Sequence, residues 1–308
     1  MSAVALIPAD VRARLKHLRL RARHGAGGDG LGQHASRSRG AGLEFAQYRA
    51  YEPGDEPRRI DWKLYARSDR YFVRESERDS PLTLWLVIDA SASMAQADSA
   101  RPDWRKLDAA KTIAACAIEL ALRQGDRFGL IALAAGGPKL IAADAGSRHR
   151  DRCLLELEKI ECAGAWPAEP ALRPLWERVL PSSLVLVLSD FFDDAAADLA
   201  LRFAAARREV LTIQMLSADE RDFPFEGGHR FVDPESGADR RVEAAAIRSD
   251  FLDRFNTARA NLARRFAASG IRHAEYLHRA QCALESTARR ARDQRAQSYP
   301  VVSHLLGR

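Results

Sequence analysis

Two short apolar runs, each ending at an aspartate, dominate the hydrophobic pattern of this chain. The first run, Leu82–Ile88, is followed by Asp89, and the second, Leu184–Ser189, is followed by Asp190. Strands that are apolar on both faces are typical of a parallel sheet covered by helices on both sides. The pattern therefore predicts two central strands of such a sheet.

Further segments of helical and strand-like periodicity alternate along the chain as far as residue 280. Helices are predicted at 106–123, 148–160, 171–180, 195–207 and 243–268. Strands are predicted at 127–134, 210–216 and 273–277. A short hairpin partner is predicted at 139–143 and a β excursion at 228–242. Strands that alternate with helices indicate an α/β fold. The prediction is a doubly wound, mostly parallel sheet flanked by helices.

The residues before this domain and after it differ from it in composition. Residues 1–40 predict a basic helix at about 8–23, followed by an arm rich in Gly, Ser and Arg that is expected to be mobile when the protein is alone. Residues 41–81 predict a small added β element, with a strand at 71–76. The α/β domain itself is placed at 82–280, and a C-terminal helix and tail at 281–308.

The composition is that of a globular protein without a membrane span. Of the residues, 46% are hydrophobic and 29% are charged, which is ordinary for a globular protein. There is neither an apolar run long enough to span a bilayer nor a secretory signal pattern at the N-terminus. The four cysteines are scattered without a Cys-x-x-Cys pair, as expected for free thiols in a reducing compartment. The sequence thus predicts a cytoplasmic protein without a membrane span.

The net charge of +6 is unevenly distributed. Basic residues are concentrated in 1–39 and 286–308, so the residues between them are acidic overall. Basic ends of this kind can bind nucleic acid or anionic lipid. No recognition motif and no interleaved aromatic residues accompany the charge. We therefore expect solvated helix faces and no nucleic-acid partner.

The strand-ending aspartates are the candidate functional residues. Because parallel strands end at the same edge of a sheet, Asp89 and Asp190 are predicted to lie side by side at the switch point in strand order. Ser91 and Ser93 follow Asp89 in the loop. Carboxylate and hydroxyl oxygens are ligands that magnesium prefers, so these four residues predict a metal site. The alternative is that each aspartate only caps the following turn or helix.

The loop Asp-x-Ser-x-Ser after a buried strand resembles the metal-ion-dependent adhesion site of von Willebrand factor A domains. The wider pattern resembles one bacterial group, the family called domain of unknown function 58, over roughly residues 30 to 280. The blocks that carry this resemblance are Tyr48–Asp55, Arg59–Trp62, Ala66-Arg67, the loop at Asp89, Arg123–Asp126, Ser189–Phe191 and Asp233–Gly237.

The resemblance implies a doubly wound von Willebrand factor A-like fold and a metal site that binds an acidic group of a partner. In such sites a threonine from a second loop also binds the metal. The corresponding stretch here, 162–169, has no hydroxyl residue. Mg²⁺ binding by Asp89, Ser91, Ser93 and Asp190 is therefore expected to be weak or absent.

The resemblance also implies a non-enzymatic scaffold, accessory to a MoxR-type AAA+ ATPase in assembling or activating client proteins. The chain has no P-loop, no Gly-x-Ser-x-Gly elbow and no His-Glu-x-x-His motif. The alternative is a magnesium-dependent phosphohydrolase that uses Asp89 and Asp190. It would need a base beside the ion, for which Asp193 and Asp194 are the candidates.

Overall fold

The computed structural model describes residues 6–20, 38–40, 44–52, 57–78, 82–98, 101–232, 235 and 239–278. The chain forms two compact units, one comprising 1–22 and 82–308 and the other 23–81. In chain order the helices and strands are α1 (Ala9–Leu15), β1 (Ser38–Gly40), β2 (Glu44–Ala50), α2 (Trp62–Ser68), β3 (Phe72–Arg78), β4 (Thr83–Asp89), β5 (Ala97–Asp98), β6 (Arg101–Arg105), α3 (Lys106–Gln124), β7 (Arg127–Ala134), β8 (Gly137–Asp144), α4 (Ser147–Glu158), α5 (Glu169–Arg178), β9 (Leu184–Ser189), α6 (Asp194–Ala205), β10 (Glu209–Ser217), α7 (Ala218–Asp222), β11 (Gly228–Val232), β12 (Asp239–Glu243), α8 (Ala244–Ala268) and β13 (Arg272–His278).

The smaller unit is built on an antiparallel sheet with the strand order β1-β3-β2. Helix α2 begins at Asp61, whose carboxylate accepts hydrogen bonds from the backbone N–H groups of Lys63 and Leu64. This cap satisfies N–H groups that have no partner within the helix. The unit contains the predicted β element, and α2 is an addition that the apolar pattern did not indicate.

The larger unit contains a six-stranded sheet with the order β13-β10-β9-β4-β7-β8. All neighbouring strands are parallel except β7 and β8, which pair antiparallel. Numbered within the sheet, the order is 6-5-4-1-2-3, the arrangement of a doubly wound fold with its switch point between β4 and β9. This confirms the predicted fold class and the predicted adjacency of the two central strands.

Two hydrophobic cores cover the two faces of this sheet. Side chains at alternate positions of β4 point to opposite faces, with Leu84, Leu86 and Ile88 in one core and Trp85 and Val87 in the other. Helices α1, α3 and α4 contribute to the first core, and α5, α6 and α8 to the second. The helices that follow β4 and β9 therefore leave to opposite sides, which opens a crevice at the carboxyl ends of these strands.

The N-terminal helix differs from the prediction. Helix α1 ends at Leu15 instead of near residue 23. Ile7, Leu15 and Leu20 are buried in the core beside α3. The backbone of Leu20 also exchanges two hydrogen bonds with the side-chain amide of Gln124. This segment is therefore part of the folded unit and not a fully solvated basic helix.

Several shorter predictions concern elements at the edges of the domain. The hairpin partner predicted at 139–143 is confirmed as β8, and the β excursion as the pair β11 and β12. The pair β5 and β6 and the helix α7 were not predicted. Most of the predicted arm, 24–37, and the predicted terminal helix, 281–308, lie outside the described residues. Of the helices that the structure describes, none carries an apolar stretch long enough to cross a bilayer.

Candidate functional site

Asp89 and Asp190 both lie at the switch point of the sheet. Strand β4 pairs with β9 as far as Ile88 and Leu188, so Asp89 and Ser189 end neighbouring strands and Asp190 follows directly. Both aspartates are buried. The structure thus brings together the two carboxylates that the sequence singled out.

Asp89 is held by two protein donors. Its Oδ2 accepts a hydrogen bond from the Ser189 hydroxyl at 2.6 Å, and its Oδ1 accepts one from the backbone N–H of Ser91 at 2.9 Å. Burial, followed by repulsion from Asp190, raises the pKa of Asp89 to about 6, although these hydrogen bonds oppose the shift. Asp89 therefore holds its proton more tightly than an exposed aspartate does.

The serine loop after β4 is joined to the second loop that the sequence predicted. The backbone N–H of Ala92 donates to the carbonyl of Gly164, and the N–H of Ala163 donates to the carbonyl of Ala90. Ser91 and Ser93 share a hydrogen bond of 2.9 Å between their hydroxyls. The second loop thus contacts the serine loop through backbone hydrogen bonds.

Lys106 is the main functional residue that the sequence did not reveal. It is the first residue of α3, and its side chain is 1% exposed. Its Nζ lies 2.7 Å from Asp190 Oδ2 and 2.8 Å from Glu220 Oε1. Burial by itself lowers the pKa of Lys106, but the charges of these two carboxylates more than offset this, and the net pKa is raised. Lys106 is therefore a buried ammonium ion.

Glu220 reaches Lys106 from α7, the short helix after β10. Ser217 and Glu220 form a capping box at the start of this helix, and the second oxygen of Glu220 accepts the backbone N–H of Ser217. The Ser-x-x-Glu spacing is visible in the sequence and could have located the helix. Its contact with Lys106, 114 positions away, leaves no signal in the sequence.

The turn after Asp190 has a strained backbone. Phe191 has a φ of +56°, a left-handed conformation that is uncommon for a residue with a large side chain. Its ring is buried against Phe266, and its N–H donates to the Ser189 hydroxyl. This turn leaves the next ring, that of Phe192, 50% exposed and 4.6 Å from the Lys106 ammonium.

A cleft of about 490 Å³ lies over this ion-pair network. Phe192, Asp193, Asp194 and Glu235 line it together with Ser93, Gln96, Lys106 and Glu220. Burial raises the pKa of Glu235, while hydrogen bonds with the hydroxyls of Ser93 and Ser91 oppose the shift. The cleft is thus a mainly acidic surface with one half-exposed aromatic ring.

The proposed base candidates of a hydrolase have structural partners. Asp193 caps α6 by accepting the backbone N–H of Ala195 at 2.9 Å. Asp194 forms an ion pair with Arg265 at 3.1 Å on the surface. Helix capping and a surface ion pair therefore account for the presence of these two aspartates.

The two predicted carboxylate ligands are engaged by donors from the protein itself. Asp190 Oδ1 accepts the N–H of Phe192, and its Oδ2 accepts from Lys106, so each oxygen of Asp89 and Asp190 already has a protein donor. An ammonium ion 2.7 Å from Asp190 also repels any metal at that carboxylate. Within the described ranges, no three His, Cys, Asp or Glu side chains converge to hold a metal. Magnesium binding stays a prediction.

Comparison with known proteins gives a family and several curated relatives. The family model described as a protein of unknown function, DUF58, matches residues 47–261. Uncharacterized proteins of Mycobacterium tuberculosis and Mycobacterium bovis are each 31% identical to this chain over 265 residues. These alignments cover 84% of this chain and 82% of each relative.

Comparison with solved structures gives neighbours of low sequence identity. The conserved hypothetical protein BatB from Bacteroides thetaiotaomicron is 12% identical, with a TM-score of 0.39 over 73% of this chain and 98% of that chain. The SpRpn10 VWA domain is also 12% identical, with a TM-score of 0.33 over 66% of this chain and 91% of that chain. The doubly wound fold follows from the strand order β13-β10-β9-β4-β7-β8 and not from these low-scoring neighbours.

Proposed function

This chain belongs to the DUF58 family of proteins of unknown function, and we propose that it is a non-enzymatic protein-interaction or scaffold module. We propose further that its partner is a MoxR-type AAA+ ATPase, which it assists in assembling or activating client proteins. The interaction surface in this proposal is the cleft at the carboxyl ends of β4 and β9. We propose a cytoplasmic location, which the free thiols of Cys116, Cys153 and Cys162 support.

The observation that carries the proposal is the contrast between the floor of the cleft and its rim. On the floor, Asp190 and Glu220 are paired with Lys106, and Asp89 is bound by Ser189. These groups are engaged in holding the fold together. On the rim, the ring of Phe192 is 50% exposed. Aromatic residues, Phe among them, are enriched at protein interfaces.

The rival function, a magnesium-dependent phosphohydrolase, is less well supported by the same contacts. Hydrolysis needs a general base or nucleophile that can reach the substrate. Asp193 is engaged as a helix cap and Asp194 in an ion pair. Asp190, a proposed metal ligand of that reaction, is paired with an ammonium ion. The interaction module is the better account of these partners.

The test is binding to the MoxR-type ATPase of the same host, measured by biolayer interferometry with purified proteins. We expect the wild-type chain to bind and Phe192→Asp to weaken binding by at least about tenfold, because it removes an aromatic anchor and adds a charge. Leu180→Asp is the matched control. Leu180 is 63% exposed and precedes β9, so it lies at the opposite edge of the sheet.

Two outcomes would contradict the proposal. If the wild-type chain fails to bind the ATPase with ATP, with ADP and without nucleotide, the proposed partner is wrong. If Phe192→Asp and Leu180→Asp weaken binding equally, the cleft is not the interface. Magnesium-dependent hydrolysis of p-nitrophenyl phosphate that is lost in Asp89→Ala would favour the phosphohydrolase instead.

A further inference from the structure

We propose that the ammonium group of Lys106 is the built-in cation of the cleft, holding the position that a divalent metal would otherwise take. The site then needs no metal to fold, and removal of this one side chain converts it into a metal-binding site. The inference concerns the architecture of the cleft and does not depend on the identity of any partner.

The first support is the geometry of the ion-pair network. Lys106 Nζ is within 2.8 Å of two carboxylates that come from different elements, Asp190 after β9 and Glu220 on α7. Its side chain is 1% exposed and that of Asp190 is 2% exposed. A buried carboxylate is stable as an ion only when a cation or several donors compensate it. Lys106 provides the cation for both groups.

The second support is the set of elements that Lys106 joins. Its backbone N–H donates to the carbonyl of Gln96, at the end of the serine loop after β4. Its side chain contacts the loops that follow β9 and β10. Lys106 thus connects the segments that follow three neighbouring strands, β4, β9 and β10. Metal ions at such crevices hold loops together by the same kind of multiple contact.

The third support is electrostatic. A divalent cation bound to Asp190 would lie within a few ångströms of a fixed positive charge in a buried environment, where repulsion is strong. To bind there, the metal must first displace Lys106. Because this side chain starts at the first residue of α3 and is enclosed by protein, its displacement requires the cleft to rearrange.

The same helix provides a matched control. Lys111 is also buried on α3, but its Nζ donates to the backbone carbonyl of Glu158 at 3.0 Å. Removing Lys111 deletes a buried ammonium without uncovering the carboxylates of the cleft. If Mn²⁺ binding appears on removal of Lys106 but not of Lys111, it is therefore due to the cleft and not to the loss of a lysine in general.

The first experiment uses the wild-type protein. Mn²⁺ is titrated to millimolar concentration and the free ion is measured by electron paramagnetic resonance. We expect no saturable site in wild type. Stoichiometric Mn²⁺ binding that is lost in Asp190→Asn would overturn the inference, because it would show that metal and Lys106 share the site or that metal replaces Lys106.

The second experiment compares Lys106→Ala with Lys111→Ala. In Lys106→Ala the freed carboxylates of Asp190 and Glu220 should bind Mn²⁺, and Tm should rise with metal concentration, since a ligand of the folded state stabilises it. Lys111→Ala should show neither effect. A Lys106→Ala protein that folds but does not bind Mn²⁺ would contradict the inference. Mn²⁺ binding by the wild-type protein at Asp190 would contradict it equally.

Lys106→Ala can fail to fold, because it leaves the buried carboxylate of Asp190 and the partly buried carboxylate of Glu220 without a cation. Its refolding is then followed by circular dichroism with and without Mn²⁺, and recovery only with the metal supports the inference. If neither condition restores the fold, Lys106→Gln replaces it in the same titration. Its amide can still donate to one carboxylate, and the same gain of Mn²⁺ binding is expected.

Discussion

The hydroxyl of Ser189 donates a hydrogen bond of 2.6 Å to the carboxylate of Asp89, across 100 positions of sequence. The same hydroxyl oxygen accepts the backbone N–H of Phe191 at 2.9 Å. One side chain therefore fixes the orientation of Asp89 and also shapes the turn that carries Asp190. Three of the four predictions below concern contacts in and around this site, and one concerns the core around α3 and α4.

Ser189→Ala should destabilise the protein. The substitution leaves a buried carboxylate oxygen and a buried N–H without this partner, and an unsatisfied buried polar group costs about 1–3 kcal/mol. Urea denaturation measures the free energy of unfolding. Ser147→Ala is the control, because Ser147 is exposed and its helix has no side-chain cap. Equal stability of the two variants would mean that the Ser189 bond contributes nothing.

Asp89→Asn should stabilise the protein at alkaline pH. The pKa of Asp89 is about 6 in the folded chain, against about 4 in an unfolded chain. The folded state therefore binds this proton more tightly, and the resulting stability is present at low pH and lost as pH rises through 6. The ionised form then costs the folded state about 3 kcal/mol, which asparagine removes.

The measurement for Asp89→Asn is urea denaturation in metal-free buffer from about pH 4 to about pH 8, the range that spans both pKa values. The advantage of the variant should be largest at the alkaline end and should vanish at the acidic end. A difference from wild type that does not change with pH would show that Asp89 keeps an ordinary pKa in the folded protein.

The thiols of Cys116 and Cys153 should resist alkylation in the native protein. Burial raises the pKa of each to about 12, so the reactive thiolate is scarce at neutral pH. Peptide mapping after treatment with iodoacetamide should find both cysteines unmodified before denaturation and modified after it. Rapid labelling of either residue in the native state would show that the core around α3 and α4 opens readily.

Gly164→Ala should destabilise the loop that supports the serines. Gly164 has a φ of +59°, and an added Cβ would lie 2.5 Å from the Cβ of Ala135. A non-glycine residue in the left-handed region costs about 1–3 kcal/mol before any steric clash. Gly136→Ala is the control, because nothing lies within 4 Å of its added Cβ and its φ is unremarkable. Thermal unfolding should lower Tm for the first variant only.

The strands and their adjacency could be predicted because the signal is local. The apolar runs Leu82–Ile88 and Leu184–Ser189 indicate burial on both faces, which is typical of strands in a parallel sheet between helices. The aspartates that end these runs then meet at one edge. Helix ends depend on packing as well as on local pattern, and α1 is shorter than predicted because the residues after Leu15 pack in an irregular segment.

The partner of Asp190 could not be predicted in this way. Lys106 stands at the start of a helix whose apolar residues define its buried face, and nothing in that pattern shows that a lysine also is buried. The contacts of its ammonium with Asp190 and Glu220 span 84 and 114 positions. Periodicity reports which residues face the core, but not which charges neutralise one another across it.

The sequence by itself therefore determined the family, the doubly wound sheet and the meeting of Asp89 and Asp190, since each depends on local pattern or on ordered motifs. Only the tertiary structure decided the charge balance of the cleft. Whether a carboxylate faces a metal, a proton or an ammonium depends on side chains that arrive from distant loops. Here the packing of α3 and α7 brings Lys106 and Glu220 to Asp190.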